Sequence, residues 1–115
     1  NGAWECLQAL STIPEDFKGV NTAAAVRMTE SHVYVSNRGH DSIACFDRRA
    51  DGTLAGLRLL PVPGSFPRDF LLYEGGFLLA QQKSGGVAFL GMDGAAGPAL
   101  DIPGAVCLCP LPGEA

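Results

Sequence analysis

Val33-Tyr34-Val35-Ser36-Asn37-Arg38 and Phe77-Leu78-Leu79-Ala80-Gln81-Gln82 are two versions of one segment, set 44 residues apart (33 to 77). At the same offset Ile43-Ala44-Cys45-Phe46 falls on Val87-Ala88-Phe89-Leu90 without a gap, Ala24 falls on Arg68 and Val26 on Phe70. The runs are short, apolar and bounded by Gly, Asp or Asn, which is the pattern of strands joined by tight turns. Helical repeats would place apolar residues three and four apart, and that period is missing. A repeat of this length lies in the span of roughly 40–50 residues typical of propeller blades.

In the first copy the expected strands are Ala23 to Met28, His32 to Asn37, Ser42 to Asp47 and Leu57 to Val62, with Asp51-Gly52 turning the chain before the last. In the second they are Arg68 to Tyr73, Gly76 to Gln81, Gly86 to Met92 and Ala105 to Leu108, with Glu74-Gly75-Gly76 and Asp93-Gly94 as turns. Trp4 to Ile13 reads as the outermost strand of a preceding blade, followed by Pro14 and a polar connector. Pro61, Pro63, Pro110 and Pro112 close outer strands, where an absent N–H does little harm.

The expected fold is all-β, an incomplete β-propeller of about two four-stranded antiparallel blades plus an outer strand of a preceding blade. Residues 1–115 form a single propeller segment: outer strand and connector (1–20), one blade (21–64) and a second blade (65–115). Two blades cannot close a ring, so their flanks need covering by upstream blades of the same polypeptide or by further copies of the chain. Because the sequence opens in the middle of a blade, missing upstream residues are the expected explanation.

Composition agrees with a packed β domain: 47% hydrophobic, 17% charged, with 15 Gly and 8 Pro dispersed as punctuation. No apolar run is long enough to cross a membrane as a helix. The net charge of -4 argues against general nucleic-acid binding. Cys6, Cys45, Cys107 and Cys109 lack zinc-ligand spacing and sit in apolar runs, so they are expected to be buried thiols with no metal site. Free thiols and the absence of a secretory signal point to the cytoplasm.

Asn21-Thr22-Ala23-Ala24-Ala25-Val26-Arg27 and the following Val33 to Phe46, with Ser36-Asn37-Arg38-Gly39-His40-Asp41-Ser42 at its centre, resemble the late blades of the seven-bladed lactonase family typified by bacterial 6-phosphogluconolactonase. Phe66-Pro67-Arg68-Asp69-Phe70 shares that resemblance, which spans about Leu7 to Leu90 and fades beyond. It implies a hydrolase that needs no cofactor, opens 6-phosphoglucono-δ-lactone in the pentose phosphate pathway, and takes a small anionic lactone as its partner. It also implies a cleft furnished by arginines, a histidine and a glutamate from several blades. Arg38 and Arg68 match family arginines, whereas the family's earlier Arg-His and Asn-Glu motifs have no counterpart in these residues. The alternatives are a binding or scaffolding propeller without chemistry, and a carboxymuconate-type lactonising cyclase.

Lactone hydrolysis needs a water activated by a base and positive charge beside the carbonyl oxygen. Arg38 suits the second task, and Arg68 the holding of an anion, because guanidinium is permanently charged and forks onto phosphate or carboxylate. The plainer role for each is a pair with a neighbouring carboxylate, Arg38 with Asp41 and Arg68 with Asp69. Imidazole is the side-chain type suited to a base at neutral pH, which makes His40 a candidate, although its turn position equally suits a cap. Asn21 and Asn37 stand beside the arginines as substrate-binding candidates, with capping of a connector equally open to Asn21. Asp41 and Ser42 are expected to hold the hairpin. Ala23, Ala24 and Ala25 are expected to pack near a crowded axis, and Tyr34, Phe46, Phe70, Phe77 and Phe89 between blades.

Overall fold

The computed structural model describes residues 2–112; residues 1 and 113–115, the ends of the expected connector and second blade, lie outside it. Eight strands occur in chain order: β1 Thr22–Met28, β2 His32–Arg38, β3 Ser42–Arg48, β4 Leu54–Pro61, β5 Ser65–Tyr73, β6 Gly76–Ser84, β7 Gly86–Gly91 and β8 Ala96–Leu100. They form two antiparallel four-stranded sheets, β1-β2-β3-β4 and β5-β6-β7-β8, each a simple meander. The all-β, two-blade expectation is met, and no helix occurs among the described residues.

The repeat extends to irregularities of the backbone. In β1, Ala23 pairs with Asn37 and Val26 with Val35, so two residues face one; in β5, Pro67 pairs with Gln81 and Asp69 with Ala80, which leaves Arg68 as the extra residue. Ala24 and Arg68, equivalent by the sequence offset, therefore both lie in a bulge, a device that bends the strand and re-aims a side chain.

The second blade ends differently from the expectation. Its outer strand is Ala96–Leu100, not Ala105 to Leu108. The Asp93-Gly94 turn closes tightly, with Gly94 N donating to Gly91 O and Gly91 N to Ala95 O at 2.9 Å each, so the residues that follow pair with β7 at once. Pro98 sits in this edge strand, where its lack of an N–H is harmless. The same logic starts β4 at Leu54 rather than Leu57, because the Asp51-Gly52 turn is closed by Arg49 N to Thr53 O at 2.8 Å.

Trp4 to Ile13 forms no strand. An outermost strand requires the third strand of its own blade as a ladder partner, and no such strand precedes it in the described residues. The segment instead lies on the first blade through Gln8, whose Nε2 donates to Leu54 O at 3.0 Å and whose Oε1 accepts from Leu54 N at 2.9 Å. That side-chain amide satisfies both backbone groups of one β4 residue in place of a neighbouring strand.

One apolar core joins the blades, with β5 lying against β1 and β2. Tyr34, Ile43, Cys45, Leu60 and Val62 from the first sheet meet Phe70, Phe77, Leu79 and Leu90 from the second. Phe77 makes edge-to-face contacts with Tyr34 at 5.1 Å and Phe70 at 5.7 Å, a geometry that aligns ring edges with ring faces. Phe46 is buried on the opposite side, beneath the N-terminal segment, while Phe89 is only half-buried. Ala23 and Ala24 are exposed on β1 and Ala25 packs partly against the core. Of the cysteines only Cys45 is buried; Cys6, Cys107 and Cys109 are exposed because their segments are not strands.

Candidate functional site

The tight turn between β2 and β3 begins with Gly39, whose φ of 120° is unsuited to a side chain and where an added Cβ would meet the Val20 carbonyl. Asp41 follows at a φ of 59°, a conformation that costs a non-glycine residue energy. Its Oδ1 accepts from Gly39 N at 3.1 Å, within the turn, and from Phe66 N of β5 at 3.0 Å, across to the second blade. Phe66 is also held at positive φ, 61°. Two residues in sparsely populated backbone conformations are thus locked together by one hydrogen bond, an arrangement that tends to mark functional sites.

Both line a cavity of about 500 Å³ together with Val20, Thr22, Arg38, Gly39, Ser65 and Lys83. Arg38 ends β2. Its Nη2 donates to Ala23 O at 3.2 Å, its guanidinium carbon lies 5.5 Å from the Phe66 ring centre, and its buried Nε has no partner among the described residues. A carbonyl and a ring do not neutralise the charge, and no carboxylate lies within ion-pair distance of Arg38 among the described residues. The anticipated pair with Asp41 does not form.

The other sequence candidates stand elsewhere. Asn37 is wholly buried and fully occupied: Oδ1 accepts from Thr12 Oγ1 at 2.7 Å and Asn21 Nδ2 at 3.3 Å, and Nδ2 donates to Thr12 O at 2.7 Å and Ser42 Oγ at 3.2 Å. Asn21 Oδ1 accepts from His40 N at 3.0 Å. These amides bind the incoming connector to the blade. The His40 ring contacts Ser42 Oγ at 2.8 Å through Nδ1 and meets Phe17 edge-on at 4.9 Å, and it does not line the Arg38 cavity. Gln81, the repeat equivalent of Asn37, plays the same part, with Oε1 accepting from Gly64 N at 2.7 Å. Its buried Nε2 has no partner among the described residues, because the hydroxyl of Ser42 is replaced by Gly86 in this copy.

Arg68 is exposed on its bulge, touching Gln82 Oε1 at 3.4 Å, and is absent from the cavity. Asp69 pairs with Arg27 at 2.9 Å rather than with Arg68. Two features escaped the sequence reading. Lys83 reaches the cavity from β6, with Nζ 4.1 Å from the Phe66 ring centre; nothing local in Gln82-Lys83-Ser84 signals this, since β6 reaches Arg38 only by folding. Ser31, His32 and Asp47 form a surface chain with triad connectivity, Ser31 Oγ to His32 Nδ1 at 2.7 Å and His32 Nε2 to Asp47 at 3.2 Å. It lies on an exposed hairpin end, where water competes for every contact, and so caps the turn.

A family model described as lactonase, 7-bladed beta-propeller, matches residues 1–104. The chain is 38% identical over 89 residues to a 6-phosphogluconolactonase of Bacillus subtilis, covering 74% of this chain and 26% of that protein. It is 43% identical over 83 residues to an uncharacterised protein of Staphylococcus epidermidis, covering 69% and 24%. A solved structure of a protein from Lactobacillus plantarum superposes with a TM-score of 0.69 at 31% identity, over 85% of this chain and 32% of that one. The chain spans about a quarter of the length of these curated relatives.

Proposed function

Because the chain belongs to the seven-bladed lactonase β-propeller family, we propose that the Arg38 cavity takes part in the hydrolytic opening of a lactone within a complete ring. One observation carries the reading: a guanidinium with no carboxylate within ion-pair distance among the described residues lines a cavity that also holds two residues at positive φ. Arg38 is placed to hold the carbonyl oxygen as it gains negative charge. Asp41 is the base that geometry offers. Its Oδ1 is held by two backbone N–H groups, while Oδ2 carries no hydrogen bond among the described residues. Water attacks the carbonyl carbon as Asp41 takes its proton; the ring C–O bond then breaks and the proton passes to the departing oxygen, giving a hydroxy acid.

The favoured substrate is an anionic sugar lactone, 6-phosphoglucono-δ-lactone, and the setting the pentose phosphate pathway of the cytoplasm. Resemblance to the Bacillus subtilis enzyme supports the substrate. The exposed, unpaired thiols of Cys6, Cys107 and Cys109 suit a reducing compartment. Further blades cover the open flank of the second sheet. Tyr34 of the first blade packs on Phe77 of the next, whereas its repeat equivalent Leu78 lines an uncovered groove of about 410 Å³ with Tyr73, Val87, Phe89 and Leu100. That groove is where the ring aromatic of another blade would insert.

The test is lactone opening by the complete protein. Arg38→Ala is expected to lower kcat/KM by roughly 100-fold, the scale of losing one oxyanion donor. No acceleration by the wild type, or an unchanged rate for Arg38→Ala, overturns the reading.

A further inference from the structure

Lys83 has no hydrogen bond and no carboxylate within ion-pair distance among the described residues; its recorded neighbour is the face of Phe66. A cation held over an aromatic ring is positioned without being neutralised, and its three N–H donors stay free. Arg38 leans on the same ring at 5.5 Å, from the neighbouring blade. Two positive groups therefore line one cavity, and among the described residues the one carboxylate lining it, Asp41, pairs with neither. Lys83 is exposed and Arg38 half-buried, so water screens their repulsion, and an anion bound between them would meet two cations with no protein carboxylate competing for either. Phe66 is fixed at positive φ by its hydrogen bond to Asp41, so the platform is rigid before any ligand arrives.

Resting on the reading above for the location of the lactone, we propose that Lys83 is a specificity-determining residue that holds the substrate's remote phosphate, while Arg38 faces the ring carbonyl. The two cations then have separate tasks. A phosphate dianion offers three acceptor oxygens to an ammonium of matching donor number. Ser65, which lines the same cavity and whose hydroxyl is paired with that of Ser84 at 2.8 Å, is placed to orient it. Discrimination between phosphorylated and unphosphorylated sugar acids is thereby assigned to β6 of the second blade and not to the turn that carries Arg38.

Calorimetric titration of the complete protein with 6-phosphogluconate and with gluconate tests this without requiring turnover. The wild type is expected to bind 6-phosphogluconate the more tightly, and inorganic phosphate to compete. Lys83→Gln should cut that preference by about tenfold, the scale of one charge-assisted contact, and Lys83→Arg should restore most of it. A preference unchanged in Lys83→Gln, or absent in the wild type, overturns the assignment. The two failures separate cleanly. Lactone opening with a Lys83-independent preference sinks only the phosphate site, and a Lys83-dependent preference without lactone opening sinks only the hydrolase reading.

Discussion

Asp69 is the carboxylate on which three parts of the chain converge, so replacing it tests whether the blades are held as one unit. Oδ1 accepts from Arg27 Nη2 of β1 and from Phe70 N, and Oδ2 from Leu108 N of the C-terminal segment, each at 2.9 Å. Asp69→Ala removes all three acceptors. Phe70 is fully buried, and stranding its N–H costs about 1–3 kcal/mol. The ion pair is worth about 1 kcal/mol, because solvent reaches the Arg27 side chain, 39% exposed, although Asp69 is only 11% exposed. Leu108 N regains water at little cost. The expected loss is thus about 3 kcal/mol, read in urea as a lower midpoint at unchanged slope. Asp69→Asn keeps Oδ1 and should lose about 1 kcal/mol, while its amide nitrogen faces the Leu108 donor and speeds hydrogen exchange there. A double-mutant cycle with Arg27→Ala should give a coupling near 1 kcal/mol. A loss for Asp69→Ala below about 0.5 kcal/mol, the range of inert surface changes, or a coupling of zero, would refute this account of how the blades are tied.

Phe77→Ala should cost about 3–5 kcal/mol, since the ring is wholly buried between Tyr34 and Phe70; calorimetric melting checks it, and a small loss would mean that the blades are not packed through these rings. Asn37→Ala should cost about 2–3 kcal/mol and loosen the connector, seen as faster proteolysis between residues 12 and 21, because it strands the Thr12 carbonyl and hydroxyl. Thiol labelling at neutral pH should find Cys6, Cys107 and Cys109 fast and Cys45 slow until unfolding, as three are exposed and burial pushes the Cys45 thiol up. A thiol raised in the folded state contributes stability that is complete below the unfolded thiol pKa of about 8.5. That contribution is lost as pH rises through the raised folded value, so denaturation midpoints should fall in alkali and Cys45→Ala should flatten that fall.

The repeat made the architecture legible, because a pleated strand writes its period, its turn residues and its length directly into the chain. Strand positions through β7 follow within a few residues, and even the equivalence of Ala24 and Arg68 survives as a shared bulge. The errors lie at the ends. Ala105 to Leu108 and Trp4 to Ile13 have strand-like composition, but a strand exists only where a partner offers its hydrogen bonds. A short turn gave β7 a nearer partner, and the leading segment has no partner strand among the described residues.

Of the candidate site, the sequence by itself offered Arg38 and Arg68 through a resemblance carried by contiguous residues, with Arg38 put first, and His40, Asn21 and Asn37 beside them; it could not say which of these side chains the fold would leave unengaged. Packing decides which of them are engaged elsewhere. It consumed Asn37 and Asn21 in holding the connector, turned His40 toward Phe17, left Arg68 on an outer bulge and left Arg38 without a carboxylate partner among the described residues. Lys83 and Phe66 joined Arg38 only through the stacking of one blade on the next. Local periodicity is a property of neighbours along the chain and can be read there. Whether a charge is neutralised or free depends on residues tens of positions away, and only the folded arrangement decides it.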